Sequence, residues 1–196
     1  MLVVWASPLQ AKTLLVLGDS LSAAYGLPAD QGWVSLLEQE LKQRRLAERV
    51  INASISGETS SGGLQRLPRL LSDYRPDLVL LELGANDGLR GTPLQVMEQN
   101  LRRMVELSRN SGAEVLLIGI RIPPNYGPQY TQRFYSIYPG LAQEYQLPLV
   151  PFLLERVALK PQLMQADGLH PTAAAQPILL QTVWPHLYPM LVPEES

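Results

Sequence analysis

A chain of 196 residues that is 46% apolar and 17% charged has the composition of a folded domain with a sizeable core. Its net charge of −2, with no Lys/Arg block, excludes a broad basic surface for nucleic acid or acidic lipid. Cysteine is absent, which excludes disulfides, a thiol nucleophile and thiolate metal sites, and the two histidines, His170 and His186, argue against a histidine-rich metal centre.

The chain opens MLVVWASPLQAK. Leu2 to Trp5 is apolar and Ala6 to Ala11 is small and polar with a proline, as in the tail of a secretory leader cleaved near Ala11. The basic start of such a leader is missing, and the apolar run is short. Residues 1–11 are expected to be a truncated leader or an N-terminal arm, residues 12–196 a single domain, and the location periplasmic or secreted. No later run is long enough to span a bilayer.

Strands are expected over 13–17, 49–53, 77–83, 114–120 and, more briefly, 147–152. They are continuously apolar, as in a parallel sheet covered on both faces. Helical patterns lie between them. Asp30 is placed to cap a helix carrying Trp33, Leu36, Leu37 and Leu41. Thr92 and Pro93 read as the cap and first residue of a helix carrying Leu94, Met97, Leu101, Met104 and Val105, which Ser111-Gly112 ends. Tyr130, Phe134, Ile137, Tyr138, Leu141 and Tyr145 form another core stripe. His170-Pro171-Thr172 opens the last helix, with a kink at Pro177. The alternation predicts a doubly wound α/β fold.

Ligands of such sheets bind beyond the carboxyl ends of the strands. Strand one ends in Gly18-Asp19-Ser20, strand two in a segment through Ser56-Gly57-Glu58, and strand three in Gly84-Ala85-Asn86-Asp87. Each exit is rich in glycine and small polar residues, which lets backbone approach a ligand and donors converge. Further on comes Asp167-Gly168-Leu169-His170. A carboxylate three residues before a histidine can hold Nδ1–H, leaving Nε2 to take a proton from Ser20. The backbone N–H groups of Ser20 and Gly57 and the amide of Asn86 are candidate donors to a tetrahedral oxyanion. The motif G-x-S-x-G is absent, so a serine hydrolase site here sits on a different scaffold from the α/β-hydrolases.

GDSLS, the Gly57 block, Gly84-Ala85-Asn86-Asp87 and Asp167-x-x-His170 together resemble the four blocks of the SGNH, or GDSL-type, hydrolases. The longer stretches GDSLSAAYGL, ELGANDGLRG and IRIPPNYG are similar to the periplasmic multifunctional esterase branch of that family. The resemblance implies a flavodoxin-like α/β/α sandwich with a five-stranded parallel sheet. It also implies hydrolysis of aryl esters, acyl-CoA thioesters and lysophospholipids without metal or cofactor. It makes Ser20 the nucleophile, His170 the base and Asp167 its orienter, with Ser20, Gly57 and Asn86 in the oxyanion hole.

The expected partner is a small acyl ester or thioester met by a monomer, with no nucleic acid and no stable membrane insertion. Gly88–Thr92 is expected to be a mobile loop closing over the acyl chain through Leu89, with Tyr126 and Phe134 as further apolar surfaces. Asp19 reads as a loop anchor, Ser22 as a weaker rival to Ser20, Asp87 as structural and His186 as a packing or solvated residue. Glu82, inside an apolar strand, needs hydrogen bonds to be tolerated. It reads as an anchor for nearby loop backbone or as support for Asn86. A carbohydrate O-acetyl esterase and a non-catalytic acyl- or lipid-binding protein are the alternative functions.

Overall fold

The computed structural model describes residues 12–46 and 49–192; the leader reading of residues 1–11 falls outside them. Strands β1 (Thr13–Gly18), β2 (Arg49–Asn52), β3 (Leu78–Glu82), β4 (Glu114–Ile118) and β5 (Leu149–Val150) form one parallel sheet. Their order is β2-β1-β3-β4-β5, the flavodoxin-like doubly wound arrangement. The helices are α1 (Trp33–Gln43), α2 (Ser60–Tyr74), α3 (Ala85–Arg90), α4 (Leu94–Asn110), α5 (Pro128–Tyr145) and α6 (Gln176–Leu191). One outer layer pairs α1 with α6, and the other carries α2 against α4 and α4 against α5. Leu14–Leu17 and Leu78–Leu81 are buried from end to end. Helices cover both sides of these central strands, so their sequences run apolar without alternation. Among the described residues no helix is long and apolar enough to cross a membrane.

Three helix starts differ from expectation. Asp30 lies in a 3-10 turn, Ala29–Gln31, and α1 begins after Gly32 with no side-chain cap of its own. The free Trp33 N–H is instead taken by the Gln176 side chain (2.9 Å), which joins the first turns of α1 and α6. Pro93 stands at the cap of α4, because Thr92 still donates its N–H to Asp87 O (2.9 Å) and so belongs to the end of α3. The last helix starts at Gln176 after a 3-10 turn, Ala173–Ala175. His170 and Pro171 therefore stay in the preceding loop, where Pro171 bridges Met164. Pro177 falls in the first turn of α6, where a missing N–H costs nothing, so it makes no kink. The fifth strand shrinks to Leu149–Val150.

That short strand depends on Gly119. Its N–H donates to Val150 O (2.8 Å) and its carbonyl accepts from Leu153 N (3.0 Å). A Cβ at this position would collide with the Pro151 carbonyl oxygen, which is backbone and cannot rotate away. Gly119→Ala is expected to destabilise the fold by about 1–3 kcal/mol, read as a lower urea midpoint. An unchanged midpoint would show that the β4–β5 edge adjusts freely.

Candidate active site

The strand order reverses between β1 and β3, so the crevice at their carboxyl ends is where a doubly wound sheet holds its ligand. Gly18 ends β1 and pairs with Glu82, which ends β3. The chain leaving β1 forms a tight turn, with Ala23 N–H bonded to Asp19 O (2.9 Å) and Tyr25 N–H to Ser20 O (3.1 Å). A side chain at Gly18 would strike Glu82 Oε2 and the Ser22 side chain, both within 2.8 Å of a Cβ. Glycine is required here because the turn lies directly on the end of β3.

Glu82 is fully buried. Its Oε2 accepts from Ser22 Oγ (2.7 Å) and from the Asp19 N–H (3.3 Å), and its Oε1 has no partner among the described residues. Both sequence readings of this residue are thereby refined. It anchors loop backbone, and it reaches Asn86 only through Asp19. Burial, and then the neighbouring Asp19 carboxylate, push the Glu82 carboxyl well above the ordinary glutamate range. Asp19 is also buried, which lifts it to about 6 against the opposing Leu21 N–H, the His170 charge and the Asn86 amide. Ser22 is buried with its hydroxyl donated to Glu82, which removes it as a rival to Ser20.

Ser20 is half-buried, and its Oγ lies 2.9 Å from His170 Nε2. On the other side of the ring, Nδ1 lies 2.6 Å from Asp167 Oδ2. The second oxygen, Oδ1, accepts the backbone N–H groups of Leu169 (2.9 Å) and His170 (3.0 Å). Gly168 makes this tight loop possible with φ +67°. Partial burial acts to raise the Asp167 carboxyl. The bonds from the His170 ring and from the two N–H groups outweigh it and hold the group at about 2. The carboxylate thus stays charged throughout the working pH range and fixes the tautomer that leaves Nε2 facing Ser20.

Asn86 opens α3 directly above β3. Its Nδ2 donates to Glu58 O (2.9 Å) and to Asp19 Oδ2 (3.2 Å), which draws the second and first strand exits against the third. Gly57 has φ +81°, and its carbonyl is held by Arg90 (3.0 Å). The backbone N–H groups of Ser20 and Gly57 find no acceptor among the described residues, so both are available to a ligand. Both hydrogens of Asn86 already have acceptors, so donation to a ligand means sharing the longer bond to Asp19. Asp87 accepts Ser60 N–H and Oγ, both at 2.7 Å, and ties α3 to the start of α2, a structural role.

The residues expected on the acyl side divide. Residues 85–90 are helical, so the expected loop is a short helix that Gly91 closes with φ +71°. Leu89 is half-buried, and its carbonyl accepts the hydroxyl of the exposed Tyr126 (3.1 Å), which places the two on one wall. Tyr130 holds the Gly88 carbonyl in the same way (3.2 Å). Phe134 is a correction. It is fully buried, packed edge-on against Tyr138 and beneath Gly88, so it supports this wall from below and offers no surface. His186 is half-buried on α6. Among the described residues no three carboxylate or imidazole groups are gathered as metal ligands.

The Glu82 carboxyl, raised in the fold, gives up its proton more readily on unfolding. That ionisation increasingly favours the unfolded chain as pH rises from the ordinary glutamate range towards the folded value. Glu82→Gln keeps an oxygen for Ser22 and Asp19 and does not titrate. Its Tm is therefore expected to decline less than that of the wild type between about pH 5 and 8. Parallel Tm–pH curves would show that Glu82 is charged in the fold.

Known proteins share this fold and much of this sequence. The chain is 53% identical over 190 residues to esterase TesA of Pseudomonas aeruginosa, covering 97% of this chain and 94% of that one. It is 49% identical over 181 residues to thioesterase 1/protease 1/lysophospholipase L1 of Escherichia coli K12, covering 92% and 86%. The crystal structure of the psychrotrophic esterase EstA from Pseudoalteromonas sp., inhibited by monoethylphosphonate, superimposes with a TM-score of 0.88 at 45% identity, over 92% of this chain and 98% of that one. Residues 16–177 match the model of the GDSL-like lipase/acylhydrolase family. That match runs from the strand beneath Ser20 past the loop that carries His170, and the chain belongs to this family.

Proposed function

We propose that the protein is a serine esterase that hydrolyses acyl esters and thioesters through an acyl-enzyme on Ser20. The unbroken line from Asp167 Oδ2 to His170 Nδ1 (2.6 Å) and from Nε2 to Ser20 Oγ (2.9 Å) carries this reading. Asp167 keeps the proton on Nδ1. Ser20 Oγ attacks the substrate carbonyl while Nε2 takes the Oγ proton, and the imidazolium that results faces an ionised carboxylate. The Ser20 and Gly57 N–H groups and the Asn86 amide receive the oxyanion. Collapse of the tetrahedral intermediate expels an alcohol or thiol, protonated by His170. Water, deprotonated by the same nitrogen, then releases the acid and restores Ser20.

The acyl chain runs along the wall of Leu89 and Tyr126, which are neighbours through the bond from Tyr126 Oη. The end of helix α3 is the part that adjusts to it, because the bonds of Leu89 to Tyr126 and of Arg90 to Gly57 are exposed. Aryl esters, acyl-CoA thioesters and lysophospholipids are the proposed substrates. This choice is supported by the names of the relatives, an esterase from Pseudomonas aeruginosa, an arylesterase from Vibrio mimicus and a thioesterase and lysophospholipase from Escherichia coli.

Ser20→Ala is expected to lower kcat on p-nitrophenyl esters by about 10⁴-fold or more. A phosphonate ester should add one phosphonyl group to the wild type, located at Ser20 by mass spectrometry, and none to the variant. Activity surviving in Ser20→Ala would sink the mechanism. An acyl-chain series of aryl esters and acyl-CoA thioesters decides the substrate class, and a strict preference for acetylated sugars would replace it with carbohydrate deacetylation.

Asn86→Ala should reduce kcat by about 100- to 1000-fold with KM changed far less, whereas a loss confined to KM would take Asn86 out of the oxyanion hole.

The base must be neutral to accept a proton, so kcat/KM should fall in acid. Asp167, at about 2, stays ionised over the same interval and contributes no second limb. A profile flat from about pH 5 to 8 would remove His170 as the base.

A further inference from the structure

Tyr25 and Gln165 bring together the two segments that carry opposite ends of the candidate triad. The Tyr25 ring lies against the His170 imidazole, with centroids 4.4 Å apart and planes inclined by 38°. It is also 51% exposed, so core packing does not account for its position. The backbone on both sides is bent to hold it there. Ala24 has φ +57° and Gly26 has φ +74°. A left-handed conformation at a non-glycine residue is costly and persists only where the surroundings impose it.

Gln165 supplies part of that imposition. Its Nε2 donates to Tyr25 O (2.8 Å) and to Pro171 O (3.0 Å), so one amide group holds the end of the nucleophile turn and the residue after His170. Its backbone N–H donates to His170 O (2.7 Å), and its carbonyl accepts from Gly168 N (2.9 Å). Gly26 leaves room for the amide, since a Cβ there would lie 2.5 Å from Gln165 Oε1. Two carbonyl acceptors require a side chain with two N–H donors, which glutamine provides and glutamate does not.

We propose that Tyr25 is a positioning residue of the base, its ring confining the His170 imidazole to the line between Asp167 and Ser20 and facing the imidazolium formed in the reaction, with Gln165 holding the ring in place. The inference rests on His170 acting as the base. A π-face beside a transient cation acts when the charge is present, so its contribution falls in kcat and not in substrate binding.

The test measures kcat and KM on p-nitrophenyl butyrate, with Tm, for wild type, Tyr25→Phe, Tyr25→Leu, Gln165→Glu, the Tyr25→Leu/Gln165→Glu double variant and Ser20→Ala. Tyr25→Leu should lose about 3- to 10-fold in kcat with KM and Tm close to wild type. Tyr25→Phe, which keeps the ring, should restore kcat to within about twofold. Gln165→Glu should also lower kcat, and the two losses should less than multiply in the double variant because they act through the same ring. Unchanged kcat in Tyr25→Leu, a loss confined to KM, or a Tyr25→Phe variant as slow as Tyr25→Leu would overturn the assignment. Fully multiplicative losses would break the link between Gln165 and Tyr25. Should Ser20→Ala stay active, the triad itself fails; an inactive Ser20→Ala beside a wild-type Tyr25→Leu rejects only the role of Tyr25.

Discussion

The site hangs from one buried contact, where the carboxyl of Glu82 at the end of β3 meets Ser22 Oγ and the Asp19 N–H at the end of β1. These two strands flank the point where the sheet reverses its winding. The proposed nucleophile on one and the proposed oxyanion donor on the other are useful only if the two exits keep a fixed spacing. A hydrophobic contact would be non-directional and would let the turn slide. A carboxyl oxygen accepting from a hydroxyl and a backbone N–H sets both distance and direction. Burying it costs ionisation, which is why its affinity for the proton rises so far. Asp19 continues the chain of contacts to Asn86, and Asn86 continues it to Glu58 beside Gly57. Three strand exits are thereby linked by polar groups that are themselves largely removed from water.

The proposed base stands apart from this frame. Asp167 and His170 lie in a loop outside the sheet, yet the loop is closed by its own backbone. Gly168 turns it, Asp167 accepts two of its N–H groups, and the bridge between Met164 and Pro171 seals its neck. Such a loop can be rigid without a strand beneath it. What it lacks is a fixed bearing on the nucleophile turn, and Gln165 and Tyr25 are the groups that span that gap.

How much of this was legible in the sequence depended on how local each cause is. Ser20, Gly57, Asn86, Asp167 and His170 sit in short blocks that follow apolar strands, and the pattern of a parallel sheet brings such blocks to one edge. Glu82 announced itself as a charge within an apolar run. The caps expected at Asp30 and Thr92 do not form because the deciding partners are distant: Gln176 satisfies Trp33, and Asp87 still holds Thr92. Helix α2 had no residue-level assignment, since Gly62, Gly63 and Pro68 blur its period; Thr59 and Asp87 secure its start instead. Phe134 was assigned to the substrate wall on its apolar character, which does not distinguish a surface from its support. Tyr25 and Gln165 carried no signal, because neither belongs to a periodic stripe and their meeting is a product of the finished fold.

The 150-residue span between Ser20 and His170 also bears on when activity can begin. A chain made from its amino end can assemble β1 to β4 and present Ser20 while the loop bearing the proton acceptor has yet to be synthesised. On the proposed mechanism, the serine is an ordinary alcohol until that loop docks. On that proposed mechanism, ester cleavage is thus withheld until synthesis has passed His170 and its loop has closed on the nucleophile turn.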